Sequence, residues 1–189
     1  MFILKGMRKE SGEISSEAKT EHLKELLAQA LEGSLETKKL QALWQKREHA
    51  LLDFINKKKS IEQLNDVIRD VEKKAPAIRL KNVTDFQHIL TLAGVNDQRA
   101  LETTKHEADH FYKAKEMGLD PEFVVEFSYD LQLSARQGYY IKSTILHPKV
   151  AIGWGEDMPV EKVREAIART FEATEEPSQG DIDLVTKFK

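Results

Sequence analysis

His106, Glu107 and His110 fall in the run His106-Glu107-Ala108-Asp109-His110, two imidazoles four positions apart with a carboxylate beside the first. On a helix, positions i and i+4 lie one above the other, so both rings can reach a single cation. Glu107 is near enough to take a proton from water held by that cation. The chemistry this spacing suggests is metal-assisted attack of water on a carbonyl. His106 and His110 would be ligands and Glu107 the base. A site of this kind needs a third protein ligand, which must come from another element.

The run lies in a segment that reads as a helix. Asn96 can cap it, the pattern continues to Met117, and Gly118 supplies the left-handed residue that ends it. Asp120-Pro121 then forbids further turns. From Glu122 to Leu131 the pattern alternates. Phe123, Val125, Phe127 and Tyr129 face one way, and Val124, Glu126, Ser128 and Asp130 the other. Tyr139 to Leu146 is aromatic and β-branched, a second strand antiparallel to the first across residues 134–138, broken at His147-Pro148. A short strand is expected over residues 77–83. Thr84-Asp85-Phe86-Gln87 resembles a capping box opening a short helix that stops at Gly94.

The N-terminal part reads as three helices. Leu23, Leu26, Leu27, Ala30 and Leu31 recur at helical intervals before Gly33, and Ser34 can cap a second run from Leu40 to Ile55. Ser60-Ile61-Glu62-Gln63 is a capping box for a third helix, which Pro76 ends. Each has one apolar stripe that needs a partner: a hairpin or small bundle, or another chain, either a second copy or a protein partner. Met158-Pro159 and Pro177-Ser178 open two last helices, the latter with Ile182, Val185 and Phe188 inward. The expected fold is therefore α+β and mostly helical. An N-terminal helical hairpin or three-helix segment (1–76) is followed by a small domain (77–189) with the motif helix, a β-hairpin and two C-terminal helices.

Composition narrows the chemistry. With no cysteine among 189 residues, disulfides, thiolate metal sites and cysteine nucleophiles are excluded. A net charge of −3 does not indicate general nucleic-acid affinity. No glycine-rich phosphate loop occurs. The apolar run after Met1 is too short for a secretory segment, and no run approaches a membrane span, so the cytoplasm is the expected compartment.

The five-residue run, with Thr103, Thr104, Ala108, Phe111 and Tyr112 around it, resembles the H-E-x-x-H signature of the zincin superfamily of zinc metallopeptidases. Asp109 departs from the uncharged residue usual there, and Lys113 replaces the glycine that a metzincin-like continuation requires. The resemblance implies zinc as cofactor, Glu107 as catalytic base, a peptide or protein substrate, and a third ligand later in the chain. Gluzincin-like members take a carboxylate from a following element. Counting on from His110 gives Asp130, with Glu126 on the same strand face; His147 and Asp181 are further candidates. The same residues also fit a solvated helix face with a Lys105–Asp109 ion pair. On that reading the chain is a non-enzymatic helical interaction or adaptor protein.

Overall fold

The structure, a computed structural model, describes residues 15–75, 77–134, 136, 138–155, 157–172 and 177–188. Three sequence features lie outside these residues: the Met1–Lys9 segment, Pro76 as terminator, and part of the 134–138 turn. Helix α1 (Ser16–Glu32) is capped by Ser15, whose hydroxyl accepts from the Ala18 amide. Ser34 does not cap the next helix. The chain first makes a two-residue strand, β1 (Leu35–Glu36), and α2 (Thr37–Ile55) follows it. Helix α3 (Ile61–Lys74) opens with the expected capping box, in which Ser60 and Gln63 bond reciprocally.

Strand β2 (Ile78–Leu80) leads to α4 (Val83–Leu92). Its cap is Asn82 rather than Thr84: the Asn82 side chain accepts from both the Thr84 and Asp85 amides. Helix α5 (Asp97–Glu116) carries the motif and is capped by Asn96. It is followed by β3 (Asp120–Ser134), β4 (Gly138–Gly153), α6 (Val160–Phe171) and α7 (Gln179–Phe188). The architecture is mostly helical α+β, as the sequence suggests, with seven helices and one four-stranded sheet among the described residues.

Strand β3 is the centre of the sheet. Strand β4 pairs antiparallel with it along its whole length. On the opposite edge of β3, β2 pairs antiparallel at Phe123–Val125 and β1 parallel at Ser128–Tyr129. The hairpin is longer than expected, because His147-Pro148 does not stop β4, which runs on to Gly153. Among the described residues β4 pairs on one side only, and an edge strand tolerates a proline that offers no N–H.

Both sheet faces are covered over β3. Phe123, Val125 and Phe127 pack with Leu23 and Leu27 of α1, Phe86, Ile89 and Leu90 of α4, and Ala100 and Phe111 of α5. Phe111 and Phe86 both stack on Phe123, at 4.4 Å and 4.7 Å between ring centroids. Each such pair adds ~0.5–1.5 kcal/mol beyond burial. A second core joins Ala50, Phe54 and Leu64 of α2 and α3 to Val163, Ile167 and Phe188 of α6 and α7. Residues from both sides of position 76 thus share both cores. Most of the apolar stripe of each N-terminal helix packs inside the molecule, although Leu31 of α1 is exposed.

Candidate metal centre

The rotation of α5 about its axis decides where the two histidines point. Ala100, Phe111 and Ala114 are buried and Phe111 is locked on Phe123, which anchors one side of the helix against the sheet. His106 and His110 then emerge together, their rings 4.9 Å apart and edge to face. His110 is 1 % exposed; its Nδ1 lies 3.0 Å from the Thr170 carbonyl of α6, and its ring lies beside Phe171.

The third group comes from α7. Asp181, 7 % exposed, places Oδ2 3.4 Å from His106 Nε2 and Oδ1 3.4 Å from His110 Nε2. Its orientation is fixed by the start of α7. The Ser178 amide donates to Oδ2 at 2.7 Å, and the Asp181 amide donates back to the Ser178 hydroxyl at 3.2 Å. This is a capping box with aspartate in the glutamate position. The sequence pattern points Ile182 inward, but Ile182 is exposed, and Asp181 and Phe188 are the buried residues of this helix. The inward face is turned by about one residue, ~100°.

A carbonyl oxygen only accepts, so His110 Nδ1 must carry a proton. The other nitrogen, Nε2, is buried and has no hydrogen-bond partner, yet it looks at a carboxylate. A lone pair facing a carboxylate is unfavourable; either a second proton or a cation must stand between them. The spacing suits a cation. Zinc bonds of ~2.0–2.1 Å at a tetrahedral angle of about 109° set neighbouring ligand atoms ~3.3–3.4 Å apart. Each histidine–aspartate separation matches that edge, His106 through Oδ2 and His110 through Oδ1. One donor atom from each residue lies within 4.8 Å of the others, so one side of the triangle must draw in. His106, His110 and Asp181 form a group that could hold a metal ion.

The electrostatics agree with this arrangement. Burial alone would raise Asp181, but the His110 ring facing it and the Ser178 amide outweigh that and hold the carboxyl at about 2. Burial opposes charge on His110, yet Asp181 and the Thr170 carbonyl raise it above its ordinary value. Glu107, one position around the helix, is pushed up to about 7. Burial is the main cause; His110 pulls the other way, and the Asp181 charge adds to the rise.

No family model matches the chain, and no curated protein and no solved structure matches it. The site therefore rests on its own geometry.

Glu126 and Asp130, ranked first as third ligands, are not part of the cluster. The reason is parity. Successive strand residues point to opposite faces, and α5 covers the Phe123–Phe127 face. Glu126 therefore lies under α2, where it accepts from Trp44 Nε1 and pairs with Lys149 and Arg47. Asp130 lines a shallow cleft of ≈ 380 Å³ with Glu36, Thr37, Lys38 and Lys142. His147 sits beside Glu126, its Nε2 2.8 Å from Ser128 Oγ and its ring edge-on to Trp44. Asp181, one of the further candidates, is the residue the structure brings to the histidines; its place at a helix start says nothing in the sequence of which helix it meets.

Proposed function

We propose that the chain is a zinc-dependent hydrolase that cleaves peptide bonds in peptide or protein substrates. The observation that carries this reading is the buried Nε2 of His110, unpartnered and facing Asp181, on the same helix as His106 and Glu107. Two imidazoles and a carboxylate favour zinc over calcium or magnesium, which take oxygen ligands. When bound, zinc acidifies a water toward neutral pH and polarises a carbonyl.

The chain's own groups have distinct tasks. His106, His110 and Asp181 hold the ion and leave a fourth position. Thr170 fixes the His110 tautomer, so that Nε2 and not Nδ1 is the donor. Glu107, with its carboxyl poised near neutrality, takes the proton from the attacking water and passes it to the departing amine. His106 is the more exposed histidine and marks the side from which a substrate arrives.

The test is metal content together with hydrolysis of a mixed peptide library. Wild type should bind one zinc per chain and cleave; Glu107→Gln should bind zinc and fail to cleave. Zinc-loaded wild type that cleaves no peptide would rule out the activity.

One observation favours a second reading, a partner-binding protein. At the far end of the hairpin, Leu131 lies opposite Ile141 and Leu133 opposite Tyr139, all four exposed. Contiguous exposed apolar pairs mark interaction surfaces. Leu133→Lys would abolish association measured by light scattering if this arm is the contact, and would leave the protein's mass in solution unchanged if it is not. Among the described residues no helix is long and apolar enough to cross a membrane.

A further inference from the structure

Helix α7 should be marginal on its own. It has ten residues, below the ~12–15 at which isolated helices begin to hold. Gly180 lies in its first turn, and Ile182, Val185 and Thr186 are β-branched. Its two buried residues, Asp181 and Phe188, lie on one face two turns apart, with Leu184 packed on the second core between them and Lys187 paired with Glu48. Near its end Phe188, 2 % exposed, enters the second core, and Arg164 Nε donates to the Phe188 carbonyl at 2.6 Å. At its start stands Asp181.

The carboxylate of Asp181 has two roles in one geometry. Its Oδ2 accepts the Ser178 amide and closes the first turn of α7, and the same oxygen lies 3.4 Å from His106 Nε2. When the turn is unwound, the carboxylate is no longer held towards the histidines. When a cation draws Asp181 to His106 and His110, the turn is held in its capped form.

Resting on the metal-centre reading above, we propose that metal loading and formation of α7 are one coupled equilibrium, with Ser178 as the positioning residue that links them. A ligand that binds only the ordered state stabilises it, and by reciprocity any loss of helix weakens the ligand. The chain thus carries a site that assembles when α7 docks and opens when it leaves.

The experiment uses the full chain and zinc alone. Amide hydrogen exchange over 182–188 is measured with and without zinc, and zinc affinity is measured by competition with a chromophoric chelator. In wild type, zinc should slow exchange in α7 at least about tenfold while α1 changes little. Ser178→Ala keeps the amide that donates to Asp181 Oδ2 but removes the hydroxyl that caps the turn, so it should weaken zinc by roughly 2–30-fold, the cost of a lost N-cap read as a change in affinity. Ser178→Thr, which keeps the cap, should restore it. With Co²⁺ in place of zinc, the visible absorption of Ser178→Ala should differ from wild type and that of Ser178→Thr should not. Equal zinc affinity in Ser178→Ala and wild type, or α7 exchange indifferent to zinc, would overturn the coupling while leaving the metal site standing. Wild type that takes no zinc would overturn both, and this shows before any variant is made.

Discussion

His110 Nε2 and Asp181 Oδ1 face each other at 3.4 Å across two helices, α5 and α7, while His110 Nδ1 stays on the Thr170 carbonyl. In metal-free protein this geometry requires a second proton on the ring. The His110 pKa is raised, so the group stabilises the fold below its unfolded value of 6.5, and that contribution is lost as pH rises through the folded value. We expect ¹⁵N NMR of metal-free protein to show His110 still doubly protonated above pH 6.5. Adding zinc should remove the Nε2 proton and leave Nδ1–H in place. A singly protonated ring that zinc does not perturb would count against the site.

Glu107→Gln should leave zinc affinity nearly unchanged and lower kcat by ~10²–10⁴, the usual contribution of a general base. Burial raises Glu107 to about 7 before a cation is present, and the charge of a cation would pull it down. Because a base acts in its ionised form, kcat/KM should fall as pH drops through that group's pKa. A pH–rate profile of wild type whose acidic limb persists in Glu107→Gln would assign the limb to another group.

Much of the fold was legible because its punctuation is local. The Ser60–Gln63 capping box, Asn96 and Gly118 each act within one turn, and each is where the pattern puts it. The errors came from long-range packing. Ser34 was passed over because β1 pairs with β3 far along the chain, and Pro148 was tolerated because β4 is an edge. The site shows the same split. His106 and His110 are local neighbours and readable, whereas Asp181 reaches them only through the docking of α6 and α7. Glu126 shares a strand face with Asp130, and tertiary packing sets Glu126 against Trp44 of α2 rather than α5.

Glu126 is the centre of a different and structural network. It is 3 % exposed and answers Lys149, Arg47 and Trp44 at once. Glu126→Ala should therefore destabilise the protein by about 1–3 kcal/mol, since it leaves the partly buried Lys149, Arg47 and Trp44 donors without their acceptor. Urea unfolding would measure this, and a loss under about 1 kcal/mol would show the network to be dispensable. Burial opposes its charge, but Lys149 and Arg47 bring its folded pKa below the ordinary 4.5. The unfolded chain then binds more protons, so its stabilisation is present above pH 4.5 and fades as pH falls through the folded value. Zinc affinity measured at neutral pH in the milder Glu126→Gln should match wild type.

Asn96 accepts from the Arg99 amide at 2.9 Å and starts the helix that carries both histidines. Asn96→Ala should cost about 1 kcal/mol in thermal unfolding and leave the zinc stoichiometry intact. Asn96→Asp should retain most of the lost stability. Equal melting temperatures for wild type and Asn96→Ala would show that α5 is held by the Phe111–Phe123 stack alone.

The most direct measurement is the zinc bound at equilibrium by chain purified without chelator, compared across wild type, His110→Ala, Asp181→Asn and Asp130→Asn. One zinc per wild-type chain is expected. It should be retained in Asp130→Asn and lost in His110→Ala and Asp181→Asn, with an X-ray absorption edge reporting nitrogen and oxygen ligands. Wild type without stoichiometric zinc, or zinc retained in Asp181→Asn and lost in Asp130→Asn, would contradict the assignment of this centre.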